Sequence, residues 1–339
     1  MRIAIDGMGG DLAPAAPVEA VLAAARERED ATFILVGDEA RLRAAAGGAW
    51  PGSVRIVHTD SVIDMEEEPA RAVRRKPDAS LVVAARMVRE GEADAMVSAG
   101  STGALVAAGL LVIGRLPGIH RPALAPVLPT FSGRGVMLAD AGATMDADSN
   151  NLLQFAGMAS LYAQHVLGID RPRIGLLNVG TEPGKGNQLC KEAFVRLMSS
   201  GLNFAGNIEA RDLLSGAVDV AVCDGFVGNV VLKLVEGVGL GLFGAIREVL
   251  TAGPLQKLAG AVVKPGLVRL RDRFDYAEYG GAPFLGVAGG CIKAHGSSDA
   301  RAWRSALRQA IRFVEQGMVD KMQNSLAHGA GPGRGEKDE

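Results

Sequence analysis

Aromatic side chains are scarce. Phe, Tyr and Trp make up 4% of the chain, so a core must be built mainly from aliphatic residues. Cysteine is rarer still: Cys190, Cys223 and Cys291 lie far apart and form no CxxC pair. That spacing argues for a reducing compartment and against a zinc ribbon. The five histidines are scattered and none forms HExxH. Neither sign of charge dominates. The formal net charge is −2, and nothing marks a general nucleic-acid binder. The opening MRIAIDGMGGD has only a short apolar run before it turns acidic, which does not suit a secretory signal. One uncharged stretch, AMVSAGSTGALVAAGLLVIG (95–114), approaches transmembrane length. Ser98, Gly100, Ser101, Thr102 and Gly103 interrupt it, so a short strand, a Gly/Ser turn and a helix fit better.

What is abundant is glycine, 45 of 339 residues, about twice the usual share of roughly 7%. The glycines gather at the ends of the expected strands, in keeping with tight turns and close backbone approaches. At 339 residues and 48% hydrophobic, the chain can bury a large core, as one large domain or two joined ones. The reading adopted is a single α/β domain over 1–326, with a helical hairpin inserted at 250–275 and a disordered tail at 327–339.

The segment RPRIGLLNVGTEPGKGNQLCKEAF (171–194) is the most informative. An apolar strand, Ile174 to Val179, runs into a loop with Gly180, Pro183, Gly184 and Gly186, and a helix follows from Gln188. Lys185 sits at the loop centre. In an α/β fold this places it beyond the carboxyl ends of the strands, where ligands bind. Loop amides and a helix N-terminus can cradle an anion there, and lysine adds a point charge. The alternative is a solvated lysine in a turn. GxxxxGK[ST] is absent, so this is no P-loop.

The same strand–loop–helix alternation recurs. Strands are expected at 2–6, 32–36, 54–58, 95–100, 135–139, 204–208 and 218–223, with helices between, which signals a parallel sheet under covering helices. Asp6 and Asp11 flank a GMGG turn and can bind a ligand or cap the turn. Asp78 is expected to cap a helix over 79–90. Ser98, Ser101 and Thr102 offer a second anion cradle; GxSxG is missing, so a serine nucleophile is disfavoured. Four prolines between 117 and 129 resist a central strand, leaving an edge strand or a crossing between lobes. Asn229, before an apolar helix from Val230, can cap that helix or donate an amide proton to a ligand. Residues 252–275 read as two short amphipathic helices divided at Pro265-Gly266, suited to subunit packing, to an anionic membrane surface, or to both at different ends.

The motifs IAIDGMGGD (3–11), VSAGSTGAL (97–105), RPALAPVLP (121–129), LLNVGTEPGKGN (176–187), FAGNIEARD (204–212), DVAVCDGFVGNVVLKLVEG (219–237), YGGAPFLGV (279–287) and KAHGSS (293–298) resemble those of the bacterial phosphate acyltransferases, the acyl-[acyl-carrier-protein]:phosphate transacylases of phospholipid synthesis. They run in order over nearly the whole chain. The resemblance implies a three-layer α/β/α sandwich with a largely parallel sheet, similar to phosphotransacetylase and isocitrate dehydrogenase, with a protruding helical hairpin. It implies Lys185 and Asn229 as catalytic residues. By position, Asp6, Gly9, Gly10, Asp11, Ser98, Gly100, Ser101, Thr102, Gly103, Asn178, Gly186, Asn187, Asp224, Gly225, Gly228 and His295 are expected around substrate and phosphate. Leu255, Leu258, Val262, Val263 and Leu267 are expected to serve dimer packing and membrane contact. One departure is Thr144 in DAGAT, where the family usually has Asn.

The resemblance further implies acyl carrier protein and inorganic phosphate as partners, a homodimer, and no cofactor or metal. It places the enzyme in the cytoplasm or at the inner face of the membrane, handing acyl phosphate to a membrane glycerol-3-phosphate acyltransferase. Phosphate is already nucleophilic near neutral pH, so the chemistry needs positioning and preorganised donors rather than a triad. The competing readings are a coenzyme A-dependent phosphotransacetylase, a metal- and nicotinamide-dependent decarboxylating dehydrogenase, and a non-enzymatic membrane adaptor.

Overall fold

The computed structural model describes residues 1–48, 50–274 and 280–327. In the first half, β1 (Arg2–Asp6), α1 (Ala15–Glu27), β2 (Thr32–Gly37), α2 (Glu39–Ala46), β3 (Val54–His58), α3 (Pro69–Arg75), α4 (Ser80–Arg89), β4 (Ala95–Ser98) and α5 (Thr102–Ala108) follow one another. β5 (Ala123–Leu124) and β6 (Val127–Leu128) lead into β7 (Val136–Ala139), α6 (Ser149–His165), β8 (Ile174–Asn178), α7 (Gln188–Met198), β9 (Phe204–Glu209) and β10 (Val220–Val222). Then come α8 (Gly225–Thr251), α9 (Pro254–Phe274), β11 (Ala282–Leu285), β12 (Gly290–Lys293), α10 (Ala300–Glu315) and α11 (Met318–Ala327).

The strands form two sheets rather than one, in the orders β3-β2-β1-β4-β12-β11-β5 and β6-β7-β10-β8-β9. The central strands of each are parallel; β11 pairs antiparallel with β12 and β5, and β6 pairs antiparallel with β7. Central strands are apolar on both faces because helices cover both: Ile3, Ala4 and Ile5 are fully buried, as are Val220, Ala221 and Val222. The proline-rich 117–132 stretch is both an edge and a crossing. β5 closes the first sheet, and two residues later β6 closes the second. One apolar cluster includes Ile3, Phe33 and Val97 of the first sheet and Met137, Ile174 and Val220 of the second. Separate clusters line the opposite faces of the two sheets.

The 95–114 stretch is β4, α5 and a π-helical turn at Gly109–Ile113. Asp78 does not cap α4. Ala79 holds that position without a side-chain bond, and the Asp78 carbonyl instead accepts from Thr59 Oγ1 at 2.5 Å. The hairpin is longer than expected, and its break is elsewhere. α8 and α9 form its arms, the turn is at Ala252-Gly253, and Pro265 lies inside α9. Pro254 at the first position of α9 is a favoured start. Within the helix Pro265 removes one amide donor, and the carbonyl it strands belongs to the exposed Ala261, which water can satisfy. At the hairpin's base Phe274 meets Phe131 edge-on, ring centroids 5.2 Å apart. The expected tail lies outside the described residues except for Ala327, which ends α11.

The buried Tyr162 of α6 donates its hydroxyl to Gln309 Oε1 of α10 at 2.8 Å, joining helices that cover different sheets. Tyr162→Phe is expected to cost about 1 kcal/mol and to lower Tm by about 2 °C. Thermal denaturation followed by circular dichroism measures it.

Candidate active site

At the carboxyl edge of the first sheet, Asp6 ends β1. It is buried and accepts Ser80 Oγ and Ser98 Oγ, each at 2.6 Å, and the Met8 amide at 3.3 Å. Burial pushes its carboxyl above the usual range, against hydrogen bonds that favour the ionised form. So Asp6 neither caps the turn alone nor stands free for a ligand; it ties β1, β4 and α4 together. Ser98 in turn accepts the Gly100 amide at 3.0 Å. A Cβ on Gly9 would lie 2.3 Å from Asp6 Oδ2 and 2.8 Å from the Gly100 amide, so only glycine lets the two loops meet. Gly10 follows at φ +97°, and the Asp11 amide donates to the Gly296 carbonyl at 2.8 Å. Asp6, Gly9, Gly10, Asp11, Gly100 and Ser101 line a cavity of about 140 Å³ with Met8, Met65 and Leu81 on its walls. Ser101 stands at the start of α5 without a capping bond. Thr102 and Gly103 form its first turn, with Gly103 against Pro69.

The second sheet has a matching edge. Lys185 lies in the loop between β8 and α7. Its side chain is 54% exposed, and its ammonium is 3.8 Å from Glu182. Asn178, at the end of β8, holds the loop by donating Nδ2 to the Lys185 carbonyl at 3.1 Å. Gly186 turns the chain at φ +91° against Asn178, and Asn187 caps α7 by accepting the Cys190 amide at 2.9 Å. The next strand, β10, pairs in parallel with β8 and β7. It leads to Asp224, whose side chain caps α8 by accepting the Val227 amide at 2.9 Å. The helix therefore begins five residues before Val230. Asn229 is inside it and cannot be its cap; its side chain sits over Gly142.

Asp140, at the end of β7, anchors this arrangement. It is buried and accepts the amides of Leu124 at 2.7 Å, Thr144 at 2.6 Å and Ala143 at 3.0 Å. Burial pushes its carboxyl up to about 6. Gly225 and Gly228 of α8 pack on the same loop: a Cβ on Gly228 would lie 1.8 Å from the Asp140 carbonyl oxygen. The Thr144 hydroxyl is spent on the Pro122 carbonyl at 3.1 Å.

α8 links the two edges. Asn229, Lys233 and Glu236 share one face, at spacings of four and three residues. Glu236 pairs with Lys233 at 2.8 Å and approaches His295 Nε2 at 3.9 Å. His295 Nδ1 lies 2.9 Å from Ser297 Oγ, and burial lowers its pKa. Ser80, Asp140, Lys233, Glu236 and Lys293 join the site only in the folded structure. Two carried a signal: Asp140 ends VMLAD much as Asp6 ends RIAID, and Lys293 ends the apolar strand GCIK.

The sequence model of a family described as "Fatty acid synthesis protein" matches residues 1–321. A phosphate acyltransferase of Brevibacillus brevis is 52% identical over 326 residues, covering 96% of this chain and 97% of that one. One from Bacillus cereus is 51% identical over 326 residues, covering 96% and 98%. The chain belongs to the phosphate acyltransferase family. It is an enzyme, and its activity is acyl transfer involving phosphate. A phosphotransacetylase from Streptococcus pyogenes has the same fold, with a TM-score of 0.63 at 19% identity over 93% of this chain and 94% of that one. This bears out the expected α/β fold of phosphotransacetylase type, with the strands divided between two sheets instead of one.

The close contact at Gly228 makes phosphate acyltransferase activity sensitive to one methyl group. Gly228→Ala must push α8 away from Asp140, at a cost of about 3 kcal/mol, and move Asn229 with it. Urea unfolding should show the loss of stability, and turnover should fall further than a surface alanine on α8, such as Glu248→Ala, would cause.

Proposed function

We propose that the enzyme moves a long-chain fatty acyl group from acyl carrier protein to inorganic phosphate, with Lys185 and Asn229 as its catalytic residues. The observation that carries this reading is their placement after the paired parallel strands β8 and β10, Lys185 in the β8–α7 loop and Asn229 in the first turns of α8, at one carboxyl edge. A phosphate oxygen attacks the thioester carbonyl carbon. The C–O bond forms, the tetrahedral intermediate collapses, the C–S bond breaks, and the carrier thiolate leaves, gaining through solvent the proton that hydrogen phosphate sheds on becoming acyl phosphate. Lys185 holds phosphate and balances developing negative charge. Asn229 orients phosphate or donates to the oxyanion. The remaining residues of both edges, from Asp6 to His295, shape the walls of the crevice.

The cysteines support direct transfer. Burial raises the Cys190 and Cys223 thiols, and Asp224 nearby raises both further. Neither is poised as a thiolate nucleophile. The same chemistry on coenzyme A thioesters is the alternative; the family's description as a fatty acid synthesis protein favours the carrier.

Lys185→Ala should lower transfer by 10²–10³-fold, roughly the effect of losing one oxyanion donor. Stability should stay within about 0.5 kcal/mol, because the side chain is largely solvated. Carrier thiol release and hydroxylamine-trapped acyl phosphate would be followed with long-chain acyl carrier protein and, separately, with acyl coenzyme A. Wild-type rates in the variant would remove Lys185 from the mechanism. Release only from coenzyme A would replace the carrier.

The hairpin supports the proposed homodimer and peripheral membrane contact. α8 is long and apolar enough to cross a membrane by length and composition, and only 6% of its most apolar window is buried. Val230, Leu234 and Val238 form an exposed stripe along it, suited to a second copy. On α9, Leu255, Leu258, Val262 and Val263 are exposed, and Val263 and Leu267 also line a groove against α8. Lys257 and Lys264 flank the exposed residues, as an anionic surface requires. Leu258→Glu with Val262→Glu should abolish sedimentation with vesicles rich in anionic lipid while preserving transfer in solution and the dimer mass by light scattering. Undiminished sedimentation would rule out this face.

A further inference from the structure

We propose that Lys293 is a phosphate-binding residue, reaching the same crevice from the side opposite Lys185. It ends β12 in register with Ser98 on β4, which neighbours Asp6 on β1. On these strands the alternate residues Ala4, Met96 and Cys291 point into one apolar cluster. Asp6, Ser98 and Lys293, two positions further on, therefore form a polar row on that face at the carboxyl ends.

Lys293 is 8% exposed. Its ammonium donates to the Ala294 carbonyl and has no other hydrogen bond or ion pair among the described residues. A buried ammonium with one carbonyl acceptor is costly unless something else answers its charge. The charged groups around it do so only in part. Asp6 and Asp11 act from the β1 side; Lys233 and Glu236 act from α8; His295 follows it in sequence. None of the carboxylates is within ion-pair distance of it: Asp6 is taken by two serines, and Glu236 by Lys233. Burial and Lys233 bring the Lys293 pKa down to about 8. Two lysines of like charge kept within electrostatic reach of each other, one of them desolvated, suit a small dianion.

α8 places this pair in the crevice of the known reaction. Lys233 is one helical turn beyond Asn229, about 6 Å along the axis. A phosphate held by Lys293 and Lys233 would therefore lie beside Asn229. Lys185 would face it from the second sheet, so that cations on both walls meet the dianion.

The inference rests on phosphate as substrate and not on the choice of carrier, so part of its test omits the thioester. Without thioester, inorganic phosphate should raise the Tm of the wild type and leave that of Lys293→Met unmoved. The variant itself should be at least as stable as wild type, since a buried, uncompensated charge is removed. In turnover, Lys293→Met should lose about 10²-fold in kcat/KM for phosphate with an unchanged KM for the thioester. For the wild type at constant dianion concentration, kcat/KM for phosphate should fall as pH rises through about 8, as the free enzyme's Lys293 loses its proton. Lys293→Arg, charged throughout, should lack that fall. A wild-type phosphate response in Lys293→Met, or a level wild-type profile through pH 8, would overturn the proposal. Should Lys293→Met not fold, the wild-type profile and the pH dependence of its phosphate-induced Tm rise decide alone.

Discussion

Two carboxylates that never reach solvent hold the floor of this crevice. Asp6 and Asp140 each end a parallel strand, one in each sheet, and each is buried. Burying a carboxylate is costly unless its oxygens are satisfied. Here they are satisfied by loops that would otherwise be free to slide. Asp6 takes hydroxyls from α4 and β4, and Asp140 takes amides from Leu124 of β5 and from its own turn. The cost of an unmet partner fixes each loop. The loop after Asp140 then fixes α8, because Gly225 and Gly228 let the helix backbone rest on it.

From that seat the position of the remaining chemistry follows. A helix anchored at its first turn projects its side chains at set angles, so Asn229, Lys233 and Glu236 line up along one face. The near end of that face meets the second sheet's edge at Gly142 and the far end meets His295 at the first. The two sheets share an apolar cluster beneath, and α8 spans their edges above it. Beyond Glu236 the helix leaves the body and packs on α9, which is why so many of its apolar residues remain exposed.

Much of this was legible in the sequence where apolar runs stop at glycine. The strand of IGLLN, the Lys185 loop and the helix from Gln188 could be read from spacing alone, since parallel strands are apolar on both faces and their loops need small residues. Tertiary pairing could not be read. That AL and VL close different sheets depends on partners far along the chain. Pro265 misplaced the hairpin turn because a proline breaks a buried helix more surely than a solvated one, and Gly253-Pro254 was the true signal. Asn229 resembles a cap because it directly precedes the apolar run from Val230, while the actual cap, Asp224, lies a glycine-rich turn earlier. Lys293 stayed hidden because a lysine ending an apolar strand reads as its solvated end. Its burial appears only once β12 is seen between β4 and β11.

The balance of charge bears on rate as well as binding. With Cys223 and Cys291 buried, Cys190 half-buried and all three thiols raised, the chain has no poised cysteine nucleophile, so acceleration must come from how phosphate and thioester are held. Tight binding of phosphate alone would not help, because an interaction equally strong in ground and transition states leaves the barrier unchanged. The pairing of Lys233 with Glu236 and the proximity of Asp6 and Asp11 to Lys293 weaken the pull on free phosphate. In the proposed scheme Lys185 is left as the flexible, solvated cation. It can move toward charge as that charge passes from phosphate to the carbonyl oxygen. In that scheme a buried, partly neutralised wall on one side and a solvated lysine on the other would favour the transition state without trapping either anion.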